Sequence, residues 1–241
     1  MNLTNKTILV TGAAKRIGKA LALAIARDGG NVLIHYNQSS SEANMIKREI
    51  EGIGQTCVTF QADFSKTGET IKFINKITED FKLYAIINNA SVFSDLDWSN
   101  TTIADWEYHH TVNLTAPFLI SQAFAKSLLP KNPGRIINIL DWRAFRPGGD
   151  HFPYTISKSA LASMTKSLAV SLAPLITVNG IALGAILPPG DGGSTERIIS
   201  GLPIKRWAKM SELEETLLFL LNGPAYITGE IIHLDGGKHL L

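Results

Sequence analysis

Short apolar runs rich in β-branched residues alternate along this chain with longer stretches whose apolar positions recur every three or four residues. That alternation of strand-like and helix-like periods is the pattern of a parallel sheet covered on both faces. Thr7–Val10 reads as the first strand, followed by a helix over 17–27 and, after the helix stop Gly29-Gly30, a second strand at Asn31–Tyr36. Ser39 with Glu42 three residues on has the form of a capping box, opening a helix with Met45, Ile46 and Ile50 on its apolar face. A third strand is expected at 56–61, then a helix carrying Ile71, Ile74, Ile77 or Thr78, and Phe81 on one face, and a fourth strand at Leu83–Asn88. The segment 103–129 should hold a helix that begins irregularly, with Pro117 as a kink or as a first-turn residue of its main part. Strands at 135–140 and 176–181 flank a long helix at 153–172. A second capping pair, Ser211 and Glu214, opens a helix that buries Leu213, Leu217, Leu220 and Leu221, and 230–234 is the last strand. No repeat, low-complexity tract or linker interrupts the pattern. The expectation is a single α/β domain over 1–241, doubly wound, with a mostly or wholly parallel seven-stranded sheet. The Gly190-Asp191-Gly192-Gly193 stretch after Pro188-Pro189 reads as a loop inside that domain, a lid rather than a linker.

Composition narrows the field. A hydrophobic fraction of 45% and a charged fraction of 18% over 241 residues describe an ordinary globular chain. The net charge of +2 is dispersed, so no nucleic-acid partner is expected. The longest apolar runs, such as 217–221, are too short to span a bilayer, and the N-terminus lacks the charged-then-apolar layout of a signal peptide. Cys57 stands alone, so no intrachain disulfide can form and a reducing cytoplasm is the expected compartment. The six histidines show no metal-ligand spacing, and the neighbours His109 and His110 face different ways on a helix, so no metal is expected.

The turn Thr11–Gly18, TGAAKRIG, joins the first strand to the first helix. There Gly12 and Gly18 allow a tight turn and close backbone approach, while the helix start offers free N–H groups to a pyrophosphate. The second strand ends His35-Tyr36-Asn37 and runs on through Gln38-Ser39, with no acid to hold a ribose 2′-hydroxyl. Lys15 and Arg16 in the loop suit a 2′-phosphate instead, so NADPH/NADP is the expected cofactor. Further on, Tyr154 and Lys158 lie four apart on one helix face, where the ammonium should lower the phenol's pKa and make it a better proton donor. Asn88-Asn89-Ala90, Asn113, and Asn138 to Asp141 all fall where adjacent parallel strands present their carboxyl ends.

Taken together, the Gly12/Gly18 loop, Asp63, Asn88-Asn89-Ala90, Asn113, Tyr154/Lys158 and Leu234-Asp235-Gly236-Gly237 resemble the short-chain dehydrogenase/reductase family over essentially the whole chain. The resemblance implies a Rossmann-type fold, a proton-donating Tyr154, a Lys158 that holds the nicotinamide ribose, and an Asn113 that anchors a relay water. It also places Asp63 and Phe64 at the adenine edge, and Ile17, Tyr36, Asn37, Asn89, Ala90, Gly184 and Ile186 around the cofactor, in a homotetramer. The chain departs from the common family pattern where Arg16 and Ser91 replace glycines, where Asp141 replaces a serine thirteen residues before the tyrosine, and where Leu183 replaces a proline. TGAAKRIG, HYNQSSSEAN, NNASVF and Asp141 together resemble the pteridine-reductase members. That implies Arg16 and Ser39 at the 2′-phosphate, and Phe93, beside Ser91, forming one wall of a slot for a flat ring.

The chemistry of Asp141 points the same way. A serine donates a hydrogen bond to a developing oxyanion, whereas an ionised carboxylate repels it. Asp141 therefore suits a ring that presents N–H donors or a nitrogen awaiting a proton, and disfavours simple ketone reduction. The expected activity is NADPH-dependent reduction of a pterin or folate-like C=N bond. Two alternatives stand beside it: reduction of another carbonyl substrate such as a 3-oxoacyl thioester, and a catalytically idle NADPH-binding sensor, which the intact Asn113, Tyr154 and Lys158 oppose. Trp98, Trp142 and Trp207 are candidates to cover the pocket, and His151 reads as a helix-opening residue rather than a second base. Small residues Ala123, Ala125, Ser157, Ala160 and Ala169 give two helices a face that suits pairing with a second copy.

Overall fold

In the computed structural model, residues 2–187 and 199–241 are described; the Gly190–Gly193 stretch and Asp191 lie outside them. Seven strands form one sheet: β1 (Thr7–Val10), β2 (Asn31–Tyr36), β3 (Cys57–Gln61), β4 (Leu83–Asn88), β5 (Gly134–Asp141), β6 (Ile176–Leu183) and β7 (Ile231–Leu234). They run in the order β3-β2-β1-β4-β5-β6-β7, and every neighbouring pair is parallel. Strand residues alternate between two cores. Ile8 and Val10 of β1 pack on one face with α1 (Arg16–Arg27), α2 (Ser40–Gly52) and α7 (Met210–Asn222). Leu9 packs on the other with α3 (Thr67–Asp80), α5 (Ala116–Leu128) and α6 (Phe152–Leu172). A strand covered on both sides is buried at every position, as β6 is from end to end, and its buried amide Asn179 is paired with the Ile227 carbonyl and the Glu230 N–H. The expected doubly wound, parallel seven-stranded sheet is the observed one.

Helix starts depart most from expectation. Ser39 is the N-cap of α2 but makes no side-chain cap bond; Glu42 reaches across to the Lys15 ammonium at 2.8 Å instead. The Ser211–Glu214 pair lies inside α7, whose start is held by the Glu212 carboxylate accepting from the Lys209 N–H at 2.6 Å, while Glu214 pairs with Arg27. The capping box that forms is Thr102–Asp105, at the head of α4 (Ile103–His110). Met45 and Ile71 are exposed, because Ala43 and Phe73 complete the buried stripes of α2 and α3 in their place. The 103–129 segment divides into α4, a π-helical turn over Thr111–Thr115 and α5, with Pro117 in the first turn of α5. Ala125, Ser157 and Ala169 are buried within the chain itself, so of the five small residues only Ala123 and Ala160 retain partial exposure.

A buried polar chain ties the helices to the middle of the sheet. The Asn88 amide donates to Ser121 on α5 at 3.2 Å and to Asn138 at 2.8 Å, and Asn138 donates to Thr165 on α6 at 2.9 Å. Buried polar groups need such partners, and these fix the height of α6 against β5. That height sets where the first turn of α6 presents its side chains.

Candidate active site

β1 and β4 are neighbours whose following segments leave in opposite directions, and at such a reversal an open parallel sheet leaves a crevice beyond its strand ends. Here a cleft of about 1410 Å³ runs from Arg16, past Ala90 and Tyr154, to Lys238. Of the expected site residues, Gly12, Lys15, Arg16, Ile17, Asn37, Asp63, Phe64, Asn89, Ala90, Ser91, Phe93, Asp141, Tyr154, Lys158, Gly184 and Ile186 line it. Tyr36 and Ser39 line a smaller side pocket of about 300 Å³ that shares Gly12, Lys15 and Asn37. Asn113 lines neither.

At the β1 end the main chain is held by struts. Gly12 has φ +61°, and a Cβ there would stand 2.8 Å from the Ala90 Cα; one on Gly18 would collide with the Gly12 carbonyl oxygen. The Asn89 amide donates to the carbonyls of Thr11 at 2.8 Å and Gly12 at 3.1 Å, and the Thr11 hydroxyl accepts the N–H groups of Asn89 and Ala90. His35, not among the expected site residues, completes the frame. Its Nδ1 accepts the Gly12 N–H at 3.1 Å, its Nε2 donates to the Ala62 carbonyl at 3.0 Å, and its ring stacks on Phe64 with centroids 3.8 Å apart. Those bonds require the neutral tautomer, and burial pushes its pKa down to about 4. The sequence signal was a polar residue in an otherwise apolar strand, which demands a buried partner.

The fit to a dinucleotide is good. α1 begins with no acidic residue in its first turn and no side-chain cap, so its leading N–H groups face the cleft end without a side-chain partner. Lys15 is tied to Glu42, while Arg16 forms no ion pair among the described residues and sits at φ +50°. Asp63 is engaged by the Ser65 hydroxyl at 2.7 Å and by the Ser65 N–H, which hold its carboxyl below the usual range and keep it an ionised acceptor. Phe64 is buried beneath His35, so its part is to support the frame from below. Gly184 abuts Asp235, where a Cβ would stand 2.5 Å from the Asp235 Cα; this glycine lets the two strand ends close together.

At the β5 end the polar groups are side chains. Asp141 is the last residue of β5, and its Oδ1 accepts the Arg143 N–H at 2.8 Å. Tyr154, in the first turn of α6, donates its hydroxyl to Asp141 Oδ2 at 3.0 Å. Lys158 is buried and donates to the Ile139 carbonyl at 2.8 Å. Burial lowers the Lys158 pKa to about 8 and raises that of the Asp141 carboxyl. Tyr154 moves opposite to expectation: burial and the Asp141 charge push the phenol well above its ordinary value, outweighing the Arg143 guanidinium. Both the phenol and the carboxyl are thus shifted toward their neutral forms.

The Asn113 side chain is saturated. Its carbonyl oxygen accepts from the Ser91 hydroxyl at 3.0 Å and the Val92 N–H at 2.8 Å, and its amide donates to the Val92 carbonyl and to Ser157, each at 3.0 Å. The expected water anchor is therefore not this amide, which instead braces the 91–92 turn against α6. Ser157 is the joint, since its hydroxyl also donates to the Tyr154 carbonyl at 2.7 Å.

Phe93 is 56% exposed and projects into the cleft, edge-on to Tyr154 at 4.6 Å and stacked on His151 at 3.9 Å. His151 is the N-cap of α6, as its position suggested, and its Nδ1 pairs with the Ser94 carbonyl at 2.8 Å. Trp142 and Trp207 line the cleft, whereas Trp98 does not and is exposed. Among the described residues no cluster of metal-ligating side chains occurs and no helix is long and apolar enough to cross a membrane.

Known proteins match this geometry. Residues 6–197 match the short chain dehydrogenase family. The 3-oxoacyl-[acyl-carrier-protein] reductase of Synechocystis sp. is 33% identical over 240 residues, which cover 98% of this chain and 97% of that one. FolM alternative dihydrofolate reductase 1 from Brucella canis, complexed with NADP, superposes with a TM-score of 0.91 at 35% identity, covering 100% of this chain and 97% of its own. A blue fluorescent protein from a metagenomic library, in complex with NADPH, gives a TM-score of 0.90 at 30% identity over 99% of both chains. The chain belongs to the short chain dehydrogenase family.

Proposed function

We propose that the protein is an NADPH-dependent reductase of C=N bonds in pterin or folate-like rings. The observation that carries this reading is the hydrogen bond from the Tyr154 hydroxyl to the Asp141 carboxylate, at the point where β5 and α6 meet in the cleft. NADPH, when bound, supplies the hydride. Arg16 and Ser39 would hold its 2′-phosphate, Asn37 and Asp63 its adenosine end, and Ile17, Ala90, Gly184 and Ile186 the walls of its path.

The protein's own groups manage the proton. Tyr154, whose hydroxyl donates to the Asp141 carboxylate, gives its phenolic proton to the ring nitrogen; Asp141, whose pKa burial raises, then takes a proton from solvent and passes it to the phenolate. Lys158, cationic below about 8, offsets the phenolate that forms in between. Asn113 acts by position, fixing Ser91 and the first turns of α6. Phe93 offers an exposed ring beside Tyr154 against which a flat heterocycle stacks. A carboxylate beside a developing alkoxide would slow carbonyl reduction, whereas beside a ring bearing N–H donors it accepts their hydrogen bonds.

The Synechocystis relative's name favours a second reading, reduction of a 3-oxoacyl thioester on the same residues. Asp141→Ser, assayed with NADPH on a dihydropterin and on an acetoacetyl thioester, decides between them. On the first reading dihydropterin turnover falls by about 100-fold and thioester turnover rises. Unchanged dihydropterin turnover in the variant, or a wild type faster on the thioester, overturns it.

A further inference from the structure

Past Tyr154, toward the β7 edge, two turns pack against each other: Trp142–Ala144 after β5 and Lys238–Leu240 after β7. The Trp142 ring carries two cations, with the Arg143 guanidinium carbon 4.8 Å and the Lys238 ammonium 5.4 Å from its ring centroids. All three side chains line the cleft. The acids nearby are already engaged. Asp150 pairs with Arg143, Asp141 holds the Tyr154 hydroxyl and the Arg143 N–H, and Asp235 accepts from the Gly237 and His239 N–H groups and meets His239 Nδ1. Asp95 also lines the cleft but forms no ion pair with Lys238. Lys238 thus keeps its charge without a carboxylate among the described residues, and the buried Arg143 Nε has no hydrogen-bond partner.

Two cations held on one indole, facing a cleft and only partly neutralised, make an anion site. It lies across Tyr154 from Arg16, since β1 and β2 are on one side of β5 and β7 on the other. A dinucleotide phosphate held at Arg16 is therefore not its ligand. We propose that Lys238 and Arg143 form an anion-binding rim that receives a carboxylate or phosphate on the tail of the substrate whose ring or carbonyl reacts at Tyr154. This rests on the cleft being a reductase site, but not on which bond is reduced.

The test uses two matched pairs with NADPH: dihydrofolate against dihydrobiopterin, and acetoacetyl-coenzyme A against its N-acetylcysteamine thioester. In each pair the first member carries an anionic tail and the second does not. The pair that turns over identifies the reacting bond and the source of the anion, carboxylate or phosphate. Within that pair the charged member has the lower KM, and the preference weakens as sodium chloride is added. Lys238→Glu shrinks the KM ratio by about tenfold with little change in the kcat ratio, and Lys238→Arg restores it. Equal KM values within the pair, or a ratio that Lys238→Glu leaves intact, overturns the rim. If neither pair turns over, the reductase reading fails. Calorimetric titration of folate against pterin into the NADP-saturated protein then judges the rim alone: tighter folate binding lost in Lys238→Glu supports it, and any other result overturns it.

Discussion

At the β1 end of the cleft, Gly12, Thr11, Asn89 and His35 fix a stretch of main chain; at the β5 end, Asp141, Tyr154 and Lys158 fix a set of ionisable side chains. The first end is rigid because its hydrogen bonds join backbone to neutral groups and leave no room for a Cβ. The second is poised because burial drives each of its groups toward its neutral form, with a carboxyl raised, a phenol raised and an ammonium lowered. On the proposed function, one end recognises shape and the other moves a proton. Disturbing each should therefore give a different kind of loss.

Tyr154→Phe should give the largest. It removes only the hydroxyl, so NADPH binding, followed by fluorescence titration, stays within a few-fold. Turnover of whichever substrate the paired assays identify falls by about 10³-fold or more, the scale expected when a positioned acid is lost. Comparable losses of binding and turnover would mean that the two ends are not separable.

His35→Gln tests the rigid end through pH. The folded-state pKa, near 4, lies below the ordinary 6.5, so the unfolded chain takes up this proton first. The neutral imidazole's contribution is complete above pH 6.5 and is lost as pH falls toward 4, at about 1.4 kcal/mol per pH unit. Between pH 7 and 4.5 the wild type should lose about 2–3 kcal/mol more stability in urea than the variant, whose amide can still join Gly12 to Ala62. Parallel stability profiles for the two proteins would remove His35 from the frame.

The same contrast explains what the sequence revealed. The doubly wound parallel sheet and the approximate strand positions followed from apolar runs between helical periods, because a doubly covered parallel sheet leaves few other uses for such runs. Tyr154, Lys158, Asp141 and the glycine loop were legible as residue types at set spacings. His35, Ser157 and Thr11 were not, since each acts through a partner distant in sequence or through main-chain atoms that a motif does not name. Ser39 and Ser211 were misjudged as capping boxes because local spacing cannot foresee that Glu42 finds Lys15 and Glu214 finds Arg27. The Tyr154 pKa was misjudged for a related reason: the lysine four residues on was visible, but the depth of burial was not.

Arg16 brings the comparison to its smallest expected effect. It opens α1 at φ +50°, a conformation that costs a non-glycine residue about 1–2 kcal/mol, and where most of the family has glycine this chain keeps an arginine with no acidic partner among the described residues. Lys15 beside it is neutralised by Glu42, so Arg16 is the unpaired cation left to meet a 2′-phosphate. Arg16→Gly relieves the backbone and removes the charge together. Thermal stability should hold or rise slightly, NADPH affinity should fall by about tenfold, and NADH affinity should barely change. Lys15→Ala should shift the NADPH-to-NADH ratio by less than Arg16→Gly. If both cofactors weaken equally in Arg16→Gly, the arginine holds the loop's shape and not the phosphate, and the β1 end is rigid throughout, with no charge selecting its ligand.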